Sequence, residues 1–431
     1  MGAIRELAEK MWNGDATVRE HSPFALTGDF EELGDGVAMF RWLANFTAIT
    51  TDDGLVLIDT GTPAEGNGDA VAMLRRVSTA RINTAIYTHG HVDHAGGMTA
   101  FMAEAQRNRV SRPRIVGHRS VAERFDRYRR TAPYNSIINS RQFGRPIKWP
   151  TEYAYPDTYF DHQFNAVSGS LKFDCHHARG ETDDHCWVYV PARKLLLTGD
   201  FIIWAVPNAG NPAKVQRYAR EWAEALRAMA KSGAELLIPG HGMPVMGAVR
   251  IRQMLNETAE YLQTIYDQTL TLLNAGATLD TALHEVKPPA HLAGRPYLQA
   301  IYDEPDYMVR NIWRLEGGWY DGVPAHLKPA PEAALAHDVA EMAGGVTPLV
   351  VRAMGKFNAG DLALAAQLAD WAYAVAPDDP AVNQARMQIY AARAEHSGAL
   401  MTRAIFRDAA RESAEKLGLA PPAEGKLPDA V

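Results

Sequence analysis

The sequence predicts a mixed α/β first half followed by an all-α second half within one chain of 431 residues. Three observations carry that expectation. Before about Gly247, short β-prone runs alternate with glycine and aspartate turns. Beyond it, apolar residues recur at the spacing of a helix, about 3.6 residues. The third is length, since a chain of this size exceeds what one ordinary core serves, and two or three packed units are expected.

Phe46-Thr47-Ala48-Ile49-Thr50 and Leu55-Val56-Leu57-Ile58 flank Asp53-Gly54, a hairpin signal between two β-prone runs. Ala70 to Val77 reads as a helix, Ile82 to Tyr87 as a buried strand, Thr99 to Arg107 as a charged helix and Arg114 to Gly117 as another strand. The segment from Arg119 to Pro150, with Arg127, Arg129, Arg130, Arg141 and Arg145, reads as basic and irregular. Strands resume at Leu171 to Cys175, Trp187 to Val190 and Lys194 to Leu197, and Ala234 to Ile238 is the last strong one. Leu255, Ala259, Leu262, Tyr266, Leu270 and Leu273 then mark one face of a long helix that Gly276 can end. After the loop Glu316 to Pro324, alanine-rich helix pairs around Ala359-Gly360-Asp361 and Ala376 to Pro380 have a tetratricopeptide-type spacing. We divide the chain into a catalytic domain, residues 1–250, and a helical domain, residues 251–431.

Hydrophobic residues at 47% and charged residues at 22% are those of a soluble globular protein. A net charge of −7 and a pI near 6.1 argue against nucleic acid or an anionic membrane as the main partner. No run reaches the roughly 20 apolar residues of a spanning helix, and Arg5, Glu6, Glu9 and Lys10 fall where a signal peptide has its apolar core. Two cysteines are too few for a disulfide framework, so the cytoplasm is the expected address.

The chemistry concentrates in Thr88-His89-Gly90-His91-Val92-Asp93-His94. Two imidazoles at i and i+2 on extended backbone point the same way, and Asp93 and His94 follow where the chain turns, so they can reach a second point nearby. Gly96 and Gly97 are expected to let that turn pass close to a metal. Two further donors lie just past hydrophobic strands: Asp200 after Leu195 to Gly199, and His241 after Leu236 to Gly240. Imidazoles and carboxylates on rigid backbone suit a hydrolytic metal site.

His-x-His-x-Asp-His, then Gly-Asp200 and Gly-His241-Gly, resembles the metallo-β-lactamase superfamily, which implies an αββα sandwich. Tyr302 to Pro305, Val309 to Arg314, Gly317 to Gly322 and Arg141-Gln142-Phe143-Gly144 resemble the alkyl sulfatase branch and its dimerisation domain. That branch carries glutamate where most members have histidine, and Glu181 in Arg179-Gly180-Glu181-Thr182 occupies that place here. The resemblance implies two zinc ions, with manganese or iron as substitutes. His89, His91 and Glu181 would hold one ion, Asp93, His94 and His241 the other, and Asp200 would bridge. His176, His177 and His185 are rivals of Glu181.

With glutamate in that place, three carboxylates and a bridging hydroxide balance two divalent ions, and an anionic substrate needs nearby cations. Candidates for substrate contact are Arg141, Arg179, Asn208, Asn211, Lys214 and Arg217. Asp93 and Asp200 are the candidate catalytic acids, with a metal-bridging hydroxide as nucleophile. Asp59 is expected to orient a ligand, and His118 could face the site but reads better as structural. The reading is a sulfate ester hydrolase acting on an anionic small molecule, a homodimer through its helical domain. The alternatives are hydrolysis of another ester, a lactone, a β-lactam or a phosphoester on the same site, or a non-catalytic scaffold. Longer alkyl sulfatases carry a further C-terminal domain resembling sterol carrier proteins. These residues have no counterpart of it, so a long-chain substrate is not assigned.

Overall fold

A computed structural model describes residues 2–63 and 70–422. Strands β1 (Asp29–Gly34), β2 (Val37–Arg41), β3 (Asn45–Thr51), β4 (Gly54–Ile58), β5 (Ile82–Ile86), β6 (Arg114–His118) and β7 (Thr158–Phe160) form one sheet in sequence order. A second sheet holds β8 (Gln163–Ser168), β9 (Leu171–His177), β10 (Cys186–Val190), β11 (Leu195–Gly199), β12 (Leu236–Pro239) and β13 (Val245–Met246), again as neighbours in order. The Asp53-Gly54 hairpin forms as expected, with β3 antiparallel to β4 and Gly54 at φ 121°.

Strand alternation divides the first sheet between two cores. Val37, Met39, Ile49, Val56 and Ile58 face inward to Phe173, Val188 and Leu197 of the second sheet. Ala38, Phe40, Ala48, Leu55 and Leu57 face the other way, with Leu74, Phe101 and Phe125 of the outer helices. Leu196 and Leu237 lie on the other face of the second sheet, in a cluster that continues into helices Ala219–Met229 and Ala248–Asn274. The result is the αββα layering that the resemblance implied.

The basic segment corrects one expectation. Residues 119–150 are largely helical, as Ser120–Arg130 and Ala132–Phe143. Val121, Phe125 and Tyr128 are buried at i, i+4 and i+7, and Arg129 and Arg130 lie on the solvent side. The arginines masked an amphipathic stripe.

Packing divides the described chain into two compact units, residues 2–63 and 70–135 with 148–318, and 136–147 with 319–422. The change falls at Gly318, later than the change of period at Gly247, because Ala248–Asn274 packs on Ala219–Met229 and on Pro305–Gly317. In the second unit, helices Val346–Asn358, Leu362–Val375, Pro380–Glu395 and Leu400–Lys416 enclose a core of Leu349, Ala365, Ala369 and Ile389. Asp361 and Asp379 cap two of them. Among the described residues no helix is long and apolar enough to cross a membrane, and both cysteines are buried free thiols.

Candidate metal centre

The centre forms where β5, β11 and β12 end. Parallel pairing of β11 with β12 sets Gly199 beside Pro239, so the residues that follow, Asp200 and Gly240-His241, emerge together. The approach is close: a Cβ on Gly240 would run into the Asp200 carboxylate. Past β5 the chain runs through His89 and His91 into the short helix Val92–Ala95, which carries Asp93 and His94.

The donor atoms fall into two groups. His89, His91, Glu181 and Asp200 each offer an atom within 4.8 Å of the others, and so do Asp93, His94 and His241. Nε2 of His89 lies 2.8 Å from Nδ1 of His91. Asp200 stands between the groups, with Oδ2 3.8 Å from His89 Nε2 and 3.5 Å from His241 Nε2, and Oδ1 3.1 Å from His94 Nε2. Access is from one side, since His89 and His94 are sealed while the side chains of His91 and Asp93 keep 16% and 27% exposure.

Each imidazole is aimed by its other nitrogen. His94 Nδ1 donates to Asp59 at 2.8 Å, and His241 Nδ1 to the Leu43 carbonyl at 2.7 Å. His89 Nδ1 donates to the Thr88 hydroxyl at 3.0 Å, and that hydroxyl donates to Asp59 at 2.7 Å. Asp59 accepts the Thr88 N–H as well, at 2.8 Å, and adopts left-handed backbone, φ 57°, to do so. Its place is behind His94, as expected of a ligand-orienting acid.

Glu181 enters the first group with one oxygen spoken for. Asn208 Nδ2 donates to its Oε1, Arg217 sits 3.5 Å from the same oxygen, and Arg217 also donates to the Glu181 carbonyl. The rival histidines are engaged elsewhere. His185 Nε2 accepts the Asp200 N–H at 3.1 Å, His176 stacks on Trp187, and His177 stacks on His118. His118 itself accepts from the Ser120 N–H and donates to the Asp161 carbonyl, a structural role.

The donor set fits a divalent cation. Among the described residues, Oε2 of Glu181 is buried without a hydrogen-bond partner, and Oδ1 of Asp200 and Nε2 of His94 meet each other at 3.1 Å outside hydrogen-bond geometry, a costly state for polar atoms unless something coordinates them. Burial and the neighbouring Asp200 push the Glu181 carboxyl well above its usual range. Burial opposes the charged form of His94, but Asp200, Asp59 and Asp93 overcome it and hold that pKa well above normal. His241 is raised to about 10 in the same way by Asp200 and Asp93. Burial holds His89 and His91 well below normal, and for His91 the guanidiniums of Arg217 and Arg124 add to it.

The six candidates for substrate contact separate. Lys214 lies near Asp93 and Glu181 electrostatically, with its ammonium 5.9 Å from the Trp149 ring; burial and Arg217 lower its pKa to about 8. Asn211 is buried, accepts the Ala213 N–H at 3.0 Å and, among the described residues, has no partner for Nδ2. Asn208 and Arg217 are taken up by Glu181. Arg179 pairs with Glu221 at 2.5 Å and covers the Tyr218 ring. Arg141 lies in the second unit, where it pairs with Asp408 at 2.6 Å.

Several supporting residues gave no sequence signal. Asp184, fully buried, accepts the Gly90 N–H at 2.9 Å and Arg124 Nε at 2.9 Å, which fixes the His89-Gly90-His91 turn. A Cβ on Gly90 would stand 2.8 Å from that carboxylate. Asn45 donates to the carbonyls of Pro239 and Gly242 on either side of His241, at 3.0 and 3.1 Å. Phe24 rests against the His241 ring, centroids 4.9 Å apart. A Cβ on Gly96 would run into Pro63 and one on Gly97 into the Thr60 carbonyl, so both glycines allow the chain a close approach there.

Comparison with known proteins agrees with this geometry. Residues 40–241 match the metallo-beta-lactamase superfamily and residues 278–416 match the alkyl sulfatase dimerisation region. The chain is 28% identical over 353 residues to a linear primary-alkylsulfatase of Pseudomonas sp. (strain ATCC 19151), covering 77% of this chain and 66% of that one. It is 28% identical over 352 residues to an (R)-specific secondary-alkylsulfatase of Pseudomonas sp., covering 75% and 53%. The chain thus spans between about half and two thirds of the length of these curated relatives. The solved structure of the stereoselective inverting sec-alkylsulfatase Pisa1 from Pseudomonas sp. shares the fold, with TM-score 0.81 and 22% identity over 90% of this chain and 66% of that one. Two matched regions in this order, on a centre where Glu181 joins His89 and His91, settle the relationship. The chain belongs to the alkyl sulfatase branch of the metallo-beta-lactamase superfamily.

Proposed function

We propose that this chain hydrolyses sulfate esters on two zinc ions, as a homodimer through the region that matches the dimerisation model. The observation that carries it is the pair of donor groups, with Lys214 in electrostatic reach of Asp93 and Glu181. His89, His91 and Glu181 would hold one ion, Asp93, His94 and His241 the second, and Asp200 would serve both. Four imidazoles favour zinc, and three carboxylates leave manganese or iron as substitutes. The bound ions supply a nucleophile at neutral pH by lowering the pKa of water from about 15.7 to about 7.

The chain's own groups do the rest. Glu181 is turned toward the centre by Asn208 and Arg217, which hold its Oε1 and leave Oε2 to coordinate. Lys214, with its pKa at about 8, is protonated near neutrality and meets the negative charge of a sulfate group. Asn211 offers Nδ2 as a donor from the same loop. Asp303 holds that loop in place by accepting the Gly210 N–H at 2.8 Å. The reaction takes a sulfate monoester and water to an alcohol and hydrogensulfate, and the names of the matched relatives favour sulfate esters over other esters. A panel of alkyl and aryl sulfates, a lactone, a β-lactam, a carboxylic ester and a phosphoester, given to the zinc-loaded protein, tests this. Sulfate release is expected, and turnover of another class with no sulfate release would reject it.

A further inference from the structure

We infer that the two halves of the centre differ in affinity: Asp93, His94 and His241 take the first divalent ion, and His89, His91 and Glu181 fill second and more weakly. The inference rests on the reading that both groups hold metal, and it concerns what stands behind the donors.

Behind the Asp93 half, each imidazole donates its second N–H to a strong acceptor. His94 Nδ1 meets the Asp59 carboxylate at 2.8 Å and His241 Nδ1 meets the Leu43 carbonyl at 2.7 Å. Such partners raise the basicity of the coordinating nitrogen and fix the ring, and losing one costs about 10–100-fold in metal affinity. Behind the other half the acceptors are weaker. His89 donates to the Thr88 hydroxyl at 3.0 Å, whose own proton is committed to Asp59. Among the described residues His91 Nε2 has no partner.

The surrounding charges act in the same direction. A carboxylate, that of Asp59, stands 2.8 Å behind His94, whereas the Glu181 half is flanked by the guanidinium of Arg217. Arg217 lies 3.5 Å from Oε1 of Glu181 and withdraws part of the charge that would attract a cation. Two features do not discriminate. Lys214 bears on Asp93 and Glu181 alike, and Asp200 reaches His89, His94 and His241. With Asp200 counted to both sides the formal charge is equal, and the supporting contacts decide. When metal is scarce, the chain holds one ion at the Asp93 end, and occupancy of the Glu181 end follows supply.

The test is a zinc titration of the chelator-stripped full chain by calorimetry, with crystals grown at one equivalent and measured at the zinc absorption edge. Two steps at least about tenfold apart in Kd are expected, with the anomalous peak beside Asp93, His94 and His241. Glu181→Ala should lose the weaker step and keep the tighter one. A peak beside His89, His91 and Glu181, equal peaks at both positions, or loss of the tighter step in Glu181→Ala would overturn the inference. No bound zinc at any loading would overturn the metal-centre reading itself, and this inference with it.

Discussion

Replacing Asp184 with alanine probes whether the His89-Gly90-His91 turn is held by the network behind it. The carboxylate is fully buried, and it accepts from Gly90 N–H and Arg124 Nε, both at 2.9 Å. The Arg124 side chain is only 3% exposed, and its other tie runs to Asp183, whose side chain is half-exposed. Without Asp184 a guanidinium stays buried and short of its main counter-charge, and breaking such a pair costs about 3–5 kcal/mol. The orphaned Gly90 N–H costs about 1–3 kcal/mol by itself, but the two losses share one carboxylate and do not add. A loss of about 3–5 kcal/mol is therefore expected from urea unfolding followed by tryptophan fluorescence, since Trp187, Trp204 and Trp222 all lie in the first unit. Burial works against the Asp184 carboxylate but Arg124 outweighs it, so its pKa is lowered. Its contribution is thus complete above about pH 4 and fades only in stronger acid. Zinc content should fall along with stability, because Gly90 stands between two ligands. Asp183→Ala is the control and should cost less than about 1 kcal/mol. The reasoning fails if Asp184→Ala unfolds within about 1 kcal/mol of the parent, or if the control costs as much.

Three further outcomes are expected. In Gly210→Ala the new Cβ collides with the backbone of Tyr307 and Met308, so the loop bearing Asn208, Asn211 and Lys214 must shift; kcat/KM should fall about tenfold or more, as steady-state rates will report. Lys214 loses its charge as pH rises through about 8, so KM for a sulfate ester should climb above that pH in the parent and stay flat in Lys214→Arg, whose guanidinium remains charged. Burial raises Asp303 to about 7; the folded chain then binds the extra proton between about pH 4 and 7. Stability should decline by a few kcal/mol as pH rises across that window, and Asp303→Asn should remove the decline in unfolding measured against pH.

The cluster of candidate donors was legible because its signal is local. His89, His91, Asp93 and His94 fall within six residues, and Asp200 and His241 each follow an apolar strand ended by glycine. Hairpin and helix periods were local too, so β3, β4 and Ala248–Asn274 formed where expected. The helix Ser120–Arg130 escaped notice because arginines separate Val121, Phe125 and Tyr128, although their spacing is helical. Long-range support left no mark: Asp184 meets Gly90 across 94 positions and Asn45 meets Gly242 across 197. Shorter separations, 27 and 36 positions from Glu181, hide Asn208 and Arg217 in the same way. Each reads as a free polar side chain near the site, and folding commits both to Glu181.

The central claim is that sulfate ester hydrolysis depends on metal held by both donor groups. Its most direct test is the rate of sulfate release from a short alkyl sulfate while zinc is returned stepwise to chelator-stripped protein. The account predicts no release without metal and full activity at two equivalents per chain. Release that persists after chelation, or that is absent at every loading, would contradict it.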